Sequence, residues 1–470
     1  MQFYVVQQGD TLWRISQSYG VDINQVILGN ALQNPNALVS GQSLLIPNPN
    51  QEYIVQPGDT LYGIAQQFGV DFNDLTEINQ ITDPYTIYVG EWLKLPYIPH
   101  IVQSNETMWS ISQQYGVSIN EIAQANGISD PSRIFPGQAL YIPAPIQPTV
   151  EVNAYTTNTG QSGANEVRQL GRNFTYLSPF MHAIQEGGSV TALDDQAVLT
   201  AAQENEITPL FVLTNYSGTE FSPELAATIL QNPDLQEKVI TNVLDQMEAK
   251  GYEGINIDFE YVNPEDRENY NAFLRRVAER LRPRGYLIST AVAPKISGEM
   301  QGQLYAAHDY AAHGEILDFV IIMTYEWGWA GSYPRAIAPI HRVQAVLDYA
   351  VTVIPPEKIL MGVPLYGRKW EIPWVEGTFA QTVSPQEAIA LATSYNVPIQ
   401  YDEKSQAPFF RYTDETGQRY EVWFEDARSI EAKYQTLKDY NLRGPSYWVL
   451  GNSFPQNWPV LRDNFRVKKL

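Results

Sequence analysis

The side chains best suited to acid–base chemistry lie in one short segment, the run GINIDFEY at residues 254–261. Side chains alternate between the two faces of a β-strand, so Asn256, Asp258 and Glu260 are predicted to share one face. The intervening residues are apolar and predict a face that packs against helices. Burying the polar face costs free energy unless its groups are hydrogen-bonded, so we expect these residues to have a function.

Two carboxyl groups this close together predict unequal protonation. Asp258 and Glu260 are not expected to ionise independently, and one should keep its proton to higher pH, as a general acid must. An Asp-x-Glu at a strand end can also cap a helix or pair with arginine. The complete alternation and the other predicted strand ends favour catalysis over these structural roles.

The pattern of strands and helices around this segment predicts an α/β fold, a (β/α)8 TIM barrel. After Val150, short apolar runs alternate with helical stretches such as 264–281 and 335–350. Near-continuous apolar runs are typical of parallel strands buried on both faces, and eight of them with crossover helices predict a barrel. The predicted strands are VNAYTT, FTYLSPFMHAI, TPLFVLTN, GINIDFEYV, YLISTAVAP, LDFVIIMTYEW, ILMGVPLYGR and PSYWVLGN.

A small α+β insertion is predicted between strands seven and eight, at about residues 371–425. Its segment FFRYTDETGQRYEVWF contains two β-rich runs around Glu-Thr-Gly, which predicts a hairpin. Catalytic loops lie at the carboxyl ends of barrel strands, so this insertion is expected to form one side of the active-site face.

The first third of the chain contains three repeats with a period of roughly 48 residues, which indicates small tandem modules. Each repeat is predicted to fold as βααβ, with a tight turn after the first strand and a Leu/Ile-Pro ending. The predicted N-caps are Thr11, Thr60 and Thr107 for the first helices and Asp22, Asp71 and Ser118 for the second.

These repeats resemble LysM modules, which bind polymers of N-acetylglucosamine such as peptidoglycan and chitin. The resemblance rests on the GDTL turn, the N-x-I/L segment and the G-Q-x-L-x-I-P ending. It implies a glycan groove formed by Gly9, Asp10, Thr11 and Leu12 in the first module and by Gly58, Asp59, Thr60 and Leu61 in the second. The third module has Ser-Asn-Glu at 104–106 and lacks the turn glycine, which leaves its binding open.

The strand that carries Asp258 and Glu260 resembles the D-x-x-D-x-D-x-E motif of family-18 glycoside hydrolases. MTYEW is similar to that family's M-x-Y-D/E, GVPLYGR to its G-x-P-x-Y-G-R, and YWVLGN contains the expected floor tryptophan. The sequence differs at Glu253 and Asn256, where Asp is more usual. Together with the LysM-like repeats, it looks like the bacterial spore-cortex and wall N-acetylglucosaminidases of this family.

The resemblance implies substrate-assisted retaining hydrolysis of a β-1,4 bond after N-acetylglucosamine. It implies that Glu260 protonates the glycosidic oxygen, Asp258 orients the 2-acetamido group, and Tyr325 hydrogen-bonds the attacking acetamide oxygen. The substrate-binding residues that it implies are Asn256, Met323, Glu326, Trp327, Tyr366 and Trp448. A core-filling role stays open for Trp327. The neutral Asn256 should shift the pH optimum, in a direction that the sequence leaves open.

Composition and charge narrow the expected partners. The chain has 470 residues, and 30 basic against 52 acidic side chains give a formal net charge of -22. This argues against nucleic acid or an anionic membrane as the main partner. The absence of cysteine excludes disulfides and thiolate chemistry. No cofactor and no metal are expected, because no ligand spacing links the histidines, which are His100, His182, His308, His313 and His341.

The sequence therefore predicts a monomeric glycosidase of the β-N-acetylglucosaminidase type, bound to peptidoglycan or a chitin-type glycan. A spore (coat or cortex) or cell-wall location is expected, with no recognisable secretory signal. The alternatives are a chitinase or other family-18 endo-β-N-acetylglucosaminidase, and a non-catalytic wall-binding protein, against which Glu260 argues. The predicted domains are modules at 2–48, 51–97 and 99–144 and a catalytic domain at 150–470, after a Pro-rich joint at 142–150.

Overall fold

The computed structural model of the chain describes residues 1–145 and 147–470. It divides into two units, Met1–Pro148 with Asp463–Arg466 and Thr149–Arg462 with Val467–Leu470. The predicted Pro-rich joint includes Ile146, which lies outside the described residues. Within the described residues, no helix has the length and apolar character needed to cross a membrane.

The first unit contains the three repeats, each folded as strand, helix, helix and strand, as predicted. The opening strand of each module pairs antiparallel with its closing strand. The elements are β1 (Gln2–Val5), α1 (Leu12–Tyr19), α2 (Ile23–Gly29), β2 (Ser43–Ile46), β3 (Glu52–Ile54), α3 (Leu61–Phe68), α4 (Phe72–Ile78), β4 (Trp92–Lys94), β5 (Tyr97–Ile101), α5 (Met108–Tyr115), α6 (Ile119–Ala125) and β6 (Ala139–Pro143).

Side-chain caps set the helix starts of the modules, and they occur at the predicted residues. Thr11 accepts a hydrogen bond from the backbone N–H of Arg14, three residues on, and its counterparts in the other modules do the same. Asp22 accepts a bond from the N–H of Asn24 and begins α2 in the same way. These bonds satisfy backbone donors that have no partner within the helix.

A repeated asparagine closes each module. The Nδ2 of Asn30 donates to the carbonyl of Leu45 at 2.7 Å, and its Oδ1 accepts from the N–H of Leu45 at 2.7 Å. Asn79 and Asn126 make the same two bonds to their own closing strands. The side chain thus acts as a short piece of strand, which explains why Asn recurs after every second helix.

The third module keeps the turn geometry without glycine. Gly9 and Gly58 have φ angles of 86° and 91°, and Asn105 occupies the equivalent position at 72°. Asn enters the left-handed region more readily than other non-glycine residues. Glu106 accepts a bond from the N–H of Gln103 at 2.6 Å, as the turn aspartates do in the first two modules. The missing glycine therefore does not change the turn.

The second unit is the predicted barrel with its insertion. Its strands are β7 (Thr149–Val150), β8 (Asn153–Thr156), β9 (Tyr176–Pro179), β10 (His182–Ala183), β11 (Thr208–Thr214), β12 (Gly254–Asp258), β13 (Leu287–Val292), β14 (Phe319–Ile322), β15 (Ile359–Pro364), β16 (Gly367–Ile372), β17 (Gln381–Val383), β18 (Gln400–Asp402), β19 (Ala407–Thr413), β20 (Arg419–Trp423), β21 (Gly444–Leu450) and β22 (Arg466–Val467). Its α-helices are α7 (Gln161–Leu170), α8 (Gln196–Glu204), α9 (Pro223–Leu230), α10 (Pro233–Lys250), α11 (Arg267–Leu281), α12 (Tyr310–Ile316), α13 (Ile340–Ala350), α14 (Pro385–Ser394), α15 (Ala427–Asp439) and α16 (Asn457–Asn464).

Parallel pairing closes the barrel. In the described part of the chain eight strands follow the order β8, β9, β11, β12, β13, β14, β15 and β21, and β21 pairs back onto β8. The predicted strand FTYLSPFMHAI is split into β9 and the short β10, and β10 also pairs with β11. The helix predicted from residue 335 begins instead at Ile340, after Pro339 at the N-cap.

The insertion is an α+β lobe, as predicted. Its antiparallel sheet has the order β17, β16, β20, β19 and β18, and β19 with β20 forms the predicted hairpin. The lobe begins earlier than residue 371, because β15 ends at Pro364 and Gly367 already belongs to β16. The motif GVPLYGR therefore contains the end of a barrel strand before Tyr366 and the start of a strand of the insertion after it.

β12 shows the predicted division into two faces. Ile255 and Ile257 lie in the apolar layer between barrel and helices, with Val243 of α10 and Phe273 of α11. The alternate positions point the other way, toward the interior of the barrel.

Candidate active site

Asn256 links three strands across the barrel interior. Its Oδ1 accepts a hydrogen bond from the Tyr155 hydroxyl at 2.7 Å, and its Nδ2 donates to Ser289 Oγ at 3.0 Å. An amide can satisfy both partners because it carries a donor and an acceptor, whereas a carboxylate only accepts. These bonds give Asn256 a structural role that the sequence did not indicate.

Asp258 is a buried carboxyl group, and hydrogen bonds do little to offset the cost of its burial. No hydrogen-bond partner for its Oδ1 lies among the described residues. Burial raises the pKa of Asp258 from 3.8 to about 7. A carboxylate without partners is costly in such a place, so the side chain is set up to take a proton or a polar group of a ligand.

Glu260 follows two residues later, at the carboxyl end of the strand. Burial raises the pKa of Glu260, and the negative charges of Asp258 and Glu326 raise it further. This direction agrees with the predicted retention of a proton by the pair, and burial contributes more to it than the neighbouring carboxylate. A carboxyl group that stays protonated near neutral pH is suited to general acid catalysis.

Asn215 holds the main chain of Glu260, a feature that sequence reasoning missed. β12 ends at Asp258, so strand pairing no longer supports the next peptide groups. The side chain of Asn215, just after β11, accepts from the N–H of Glu260 at 2.9 Å and donates to its carbonyl at 2.8 Å. This two-point contact fixes the backbone from which the carboxyl group projects.

His308 supports the same turn from the other side. Its Nδ1 accepts from the N–H of Ala293, after β13, at 2.9 Å, and its Nε2 donates to the carbonyl of Phe259 at 2.9 Å. Burial lowers the pKa of His308 to about 4. The ring is therefore neutral, which matches one accepting and one donating nitrogen.

Tyr325 lies in the segment that follows β14. Burial, followed by the negative charges of Asp258 and Glu260, raises the pKa of its hydroxyl well above the usual value. The hydroxyl thus remains a hydrogen-bond donor. A Cβ at Gly362 of β15 would lie 2.7 Å from the Tyr325 ring, so glycine is needed there for the ring to fit.

Glu326 is held in a defined position at the edge of the site. It has a φ angle of 66°, in the left-handed region that strains a non-glycine residue. The Tyr366 hydroxyl donates to Glu326 Oε1, and Arg368 Nη2 donates to the same oxygen at 2.9 Å. The structure therefore brings two predicted site residues together and adds Arg368, which the sequence reasoning did not single out.

Trp448 lies on the aromatic floor of the barrel. Its ring centroid is 5.4 Å from that of Tyr155 and 4.9 Å from that of Phe180, both in edge contacts. Met323 packs against the same apolar cluster. Trp327 is half-buried, and its backbone N–H donates to the carbonyl of Ile337. Glycan contact and core filling both remain predictions for its side chain.

Exposed aromatic residues line the loop after β14 and the facing part of the insertion. Trp329 is 48% exposed and lies 6.2 Å, centroid to centroid, from Phe379 of the insertion, which is 71% exposed. Tyr333 and Trp374 form a second edge pair at 6.4 Å. The sequence predicted an insertion lobe here but not these aromatic contacts, because each pair joins residues more than forty positions apart.

The turn residues of the modules are largely occupied by structural bonds. Asp10 accepts from the Tyr4 hydroxyl at 2.6 Å and from a backbone N–H at 2.7 Å, and Asp59 makes the corresponding bonds. Leu12 and Leu61 are buried in the module cores. Among the residues of the predicted glycan groove, the aspartates and leucines thus have structural roles, whereas Gly9, Thr11, Gly58 and Thr60 are exposed.

His182 and His313 pack against aromatic rings. His182 stacks on Phe211 at 3.7 Å, and His313 lies edge-on to Tyr270 at 5.1 Å. Over residues 1–145 and 147–470, no group of three or more His, Cys, Asp or Glu side chains is placed to hold a metal ion.

Comparison with known families agrees with this architecture. Residues 155–452 match the model of Glycosyl hydrolases family 18, and residues 4–47, 53–96 and 100–143 match the LysM domain. The chain therefore belongs to glycosyl hydrolase family 18 and is a glycosidase with three LysM domains.

Among individual relatives, the cortical fragment-lytic enzyme of Bacillus subtilis (strain 168) is 44% identical and covers 100% of this chain and 99% of its own length. The crystal structure of the Bacillus megaterium QM B1551 spore cortex-lytic enzyme SleL matches with 37% identity and a TM-score of 0.79, covering 100% of this chain and 99% of that chain. A chitinase from Chromobacterium violaceum, at 24% identity and a TM-score of 0.61 over 67% of this chain and 98% of its own, shares the fold.

Proposed function

We propose that this glycosidase cleaves β-1,4 bonds after N-acetylglucosamine in peptidoglycan, with spore cortex or cortex fragments as its substrate. The observation that carries the proposal is the buried pair Asp258 and Glu260 at the carboxyl end of β12, with the pKa of both groups raised. A protonated carboxyl group at this position can donate to the glycosidic oxygen.

The roles proposed for the site residues follow from their environments. Glu260 gives its proton to the leaving oxygen and then acts as the base for water. The acetamide oxygen of the substrate attacks the anomeric carbon, as in other substrate-assisted retaining enzymes. Asp258, whose Oδ1 lacks a partner among the described residues, accepts the acetamide N–H, and the Tyr325 hydroxyl donates to the acetamide oxygen.

The remaining proposed substrate contacts come from the floor and the rim. Trp448 offers an apolar surface to the sugar ring, with Asn256 and Met323 beside it. Glu326 and Tyr366, joined by their hydrogen bond, contact the glycan at the edge of the site. Trp327 completes this set.

Cortex peptidoglycan is favoured as the substrate by the names of the relatives that align with the whole chain, a cortical fragment-lytic enzyme and a spore cortex-lytic enzyme. The LysM domains would hold the polymer while the barrel acts, because linked weak sites raise the local concentration of the catalytic unit. A monomer acting at the spore or the cell wall fits this arrangement.

The test compares the parent chain with Glu260→Gln on purified spore cortex, vegetative peptidoglycan and chitin. We expect new reducing ends at N-acetylglucosamine from cortex or its fragments. In Glu260→Gln, kcat should fall by about 10²- to 10⁴-fold, because the acid cannot be replaced by a neutral amide. Glu299→Gln, an exposed glutamate of the same barrel, provides the matched control.

Two outcomes would contradict the proposal. Release of chitooligosaccharides alone would assign a chitinase activity instead. Glycan binding without cleavage of any of the three polymers would mean that Asp258 and Glu260 do not catalyse hydrolysis of these glycans.

A further inference from the structure

The three modules share an exposed surface feature that the turn motif does not include. The second residue of each first helix is aromatic, and a glutamine follows four residues later on the same helix face. We name each such pair the helix patch of its module. The helix patches are Trp13 with Gln17, Tyr62 with Gln66, and Trp109 with Gln113.

The aromatic members of the helix patches are exposed, although the module cores are well packed. Trp13, Tyr62 and Trp109 are 63%, 61% and 63% exposed. The apolar core of each module uses other residues of this helix, such as Leu12 and Ile15 in the first module. The module cores therefore do not require a large aromatic side chain at this position.

The neighbouring exposed positions vary between modules, which makes the constancy of the helix patches informative. The residue after the aromatic is Arg14, Gly63 or Ser110, and the residue after the glutamine is Ser18, Gln67 or Gln114. The first of these positions changes in charge and size and the second is Ser in one module and Gln in two, whereas the aromatic ring and the glutamine recur in all three. Such a pattern indicates a shared ligand rather than a shared structural need.

The second module shows how the parts of the helix patch are arranged. Gln66 Nε2 donates to the Tyr62 hydroxyl at 3.0 Å, so amide and ring lie side by side. The Tyr62 ring is 6.3 Å from that of Phe72, the first residue of α4. Asn73 follows Phe72, and an exposed Asn occupies this position in all three modules.

We infer that the helix patches form a second glycan-contacting surface on each LysM domain, which binds a sugar unit of an N-acetylglucosamine-containing polymer beside the turn. An exposed ring offers an apolar face to the C–H face of a sugar, and the amides of Gln and Asn both donate to and accept from hydroxyl and acetamido groups. The set of aromatic, Gln and Asn side chains is uncharged, as suits an uncharged sugar.

This inference rests on the proposed glycan binding by the modules, and it extends that proposal to side chains outside the turns. Because Trp13 follows Leu12 directly, the helix patch adjoins the predicted turn contacts. Turn and helix patch would therefore bind successive parts of one glycan chain, and the same contact would recur in each module.

The experiment measures binding of the full chain to insoluble cortex peptidoglycan and to chitin. Glu260→Gln is used as the background so that the polymer stays intact. Replacing Trp13, Tyr62 and Trp109 together by Ala should weaken binding about tenfold or more, while a single replacement should weaken it only about two- to threefold, since the other modules still bind.

Two matched variants separate the helix patch from general effects of substitution. Ser18→Ala with Gln67→Ala and Gln114→Ala changes adjacent exposed positions on the same helices and should leave binding unchanged. Trp13→Tyr with Tyr62→Trp and Trp109→Tyr keeps a ring in every module and should retain most of the binding. Circular dichroism on each variant checks that the modules remain folded.

The outcomes distinguish this inference from the proposal on which it rests. If the parent chain binds neither polymer, glycan binding by the modules is wrong. If the parent binds and the triple Ala variant binds equally well, only the helix patch is excluded. If sedimentation shows that the parent self-associates and the triple Ala variant does not, the helix patches contact a second copy of the chain, which would overturn the inference.

Discussion

The aspartates in the turns of the modules and the aspartate on strand β12 of the barrel differ in their hydrogen bonding. In the modules Asp10 and Asp59 each accept a tyrosine hydroxyl and a backbone N–H, so the turn uses their hydrogen-bonding capacity. In the barrel Asp258 is buried, and the described residues supply no partner for its Oδ1. The difference separates carboxylates whose hydrogen-bonding capacity is used by the fold from one that the fold leaves available to a ligand.

The largest expected effect comes from removing the barrel carboxylate. Asp258→Asn should lower kcat by about 10²- to 10⁴-fold, because the carboxylate that we propose to orient the substrate loses its charge. The same change should raise the melting temperature. A buried acid with a pKa raised from 3.8 to about 7 lowers stability as pH rises through that interval. The gain in melting temperature should therefore grow from about pH 4 to pH 7.

Asp59→Asn is the counterpart in the modules and should give the opposite result. It weakens the bonds to Tyr53 and to the N–H of Gln56, which costs about 1 kcal/mol of module stability. Hydrolysis of a short soluble glycan should not change. A stability loss in Asp258→Asn, or a gain in Asp59→Asn, would remove the proposed distinction.

An intermediate effect is expected from the residue that holds the backbone of Glu260. Asn215→Ala removes both bonds to that peptide unit and should lower kcat about tenfold or more, with KM changing much less, because the acid is displaced rather than the glycan contacts. Asn153→Ala is the control. Asn153 is equally buried and bonded to Ser446, but it lies at the opposite, amino-terminal end of β8.

These two variants can be compared at equal stability. Both should lower the free energy of unfolding by about 1–3 kcal/mol, since each leaves buried groups without partners. Only Asn215→Ala should lower kcat below that of the parent in a temperature range where all three proteins are folded. Equal kcat values for the two variants would mean that Asn215 acts only through stability.

The smallest effect is a shift in the pH profile. Glu326 carries a negative charge that raises the pKa of Glu260, so Glu326→Gln should lower that pKa. The acid then loses its proton at lower pH, and the alkaline limb of the kcat/KM profile should move to lower pH. Glutamine can still accept from Tyr366, which limits structural change. No shift, or a shift to higher pH, would contradict this effect of the Glu326 charge.

The parts of the structure that were predictable are those encoded locally. Thr11 and Asp22 cap the helices that follow them, because a cap depends on a few adjacent residues. The two faces of β12 follow from strict alternation, and the barrel follows from apolar runs separated by helices. The lobe after β15 was recognisable from its hairpin.

The features that were missed depend on contacts between distant segments. Asn215, just after β11, and His308, just before α12, hold the turn at Glu260, and nothing in their own sequence neighbourhoods marks them. The start of the lobe was misplaced, because GVPLYGR reads as one strand although it crosses from one sheet into another. Asn105 was underestimated as a turn residue, since the prediction considered glycine alone.

The way in which Glu260 is anchored has a consequence for how this enzyme scaffold can be altered. Its peptide group is held by Asn215, and the preceding carbonyl by His308, both of which lie outside the loop that begins at Tyr261. The position of the acid is thereby insulated from that loop. Loop exchange downstream of Tyr261 offers a route to new leaving-group preferences in which Glu260, the proposed proton donor, keeps its place.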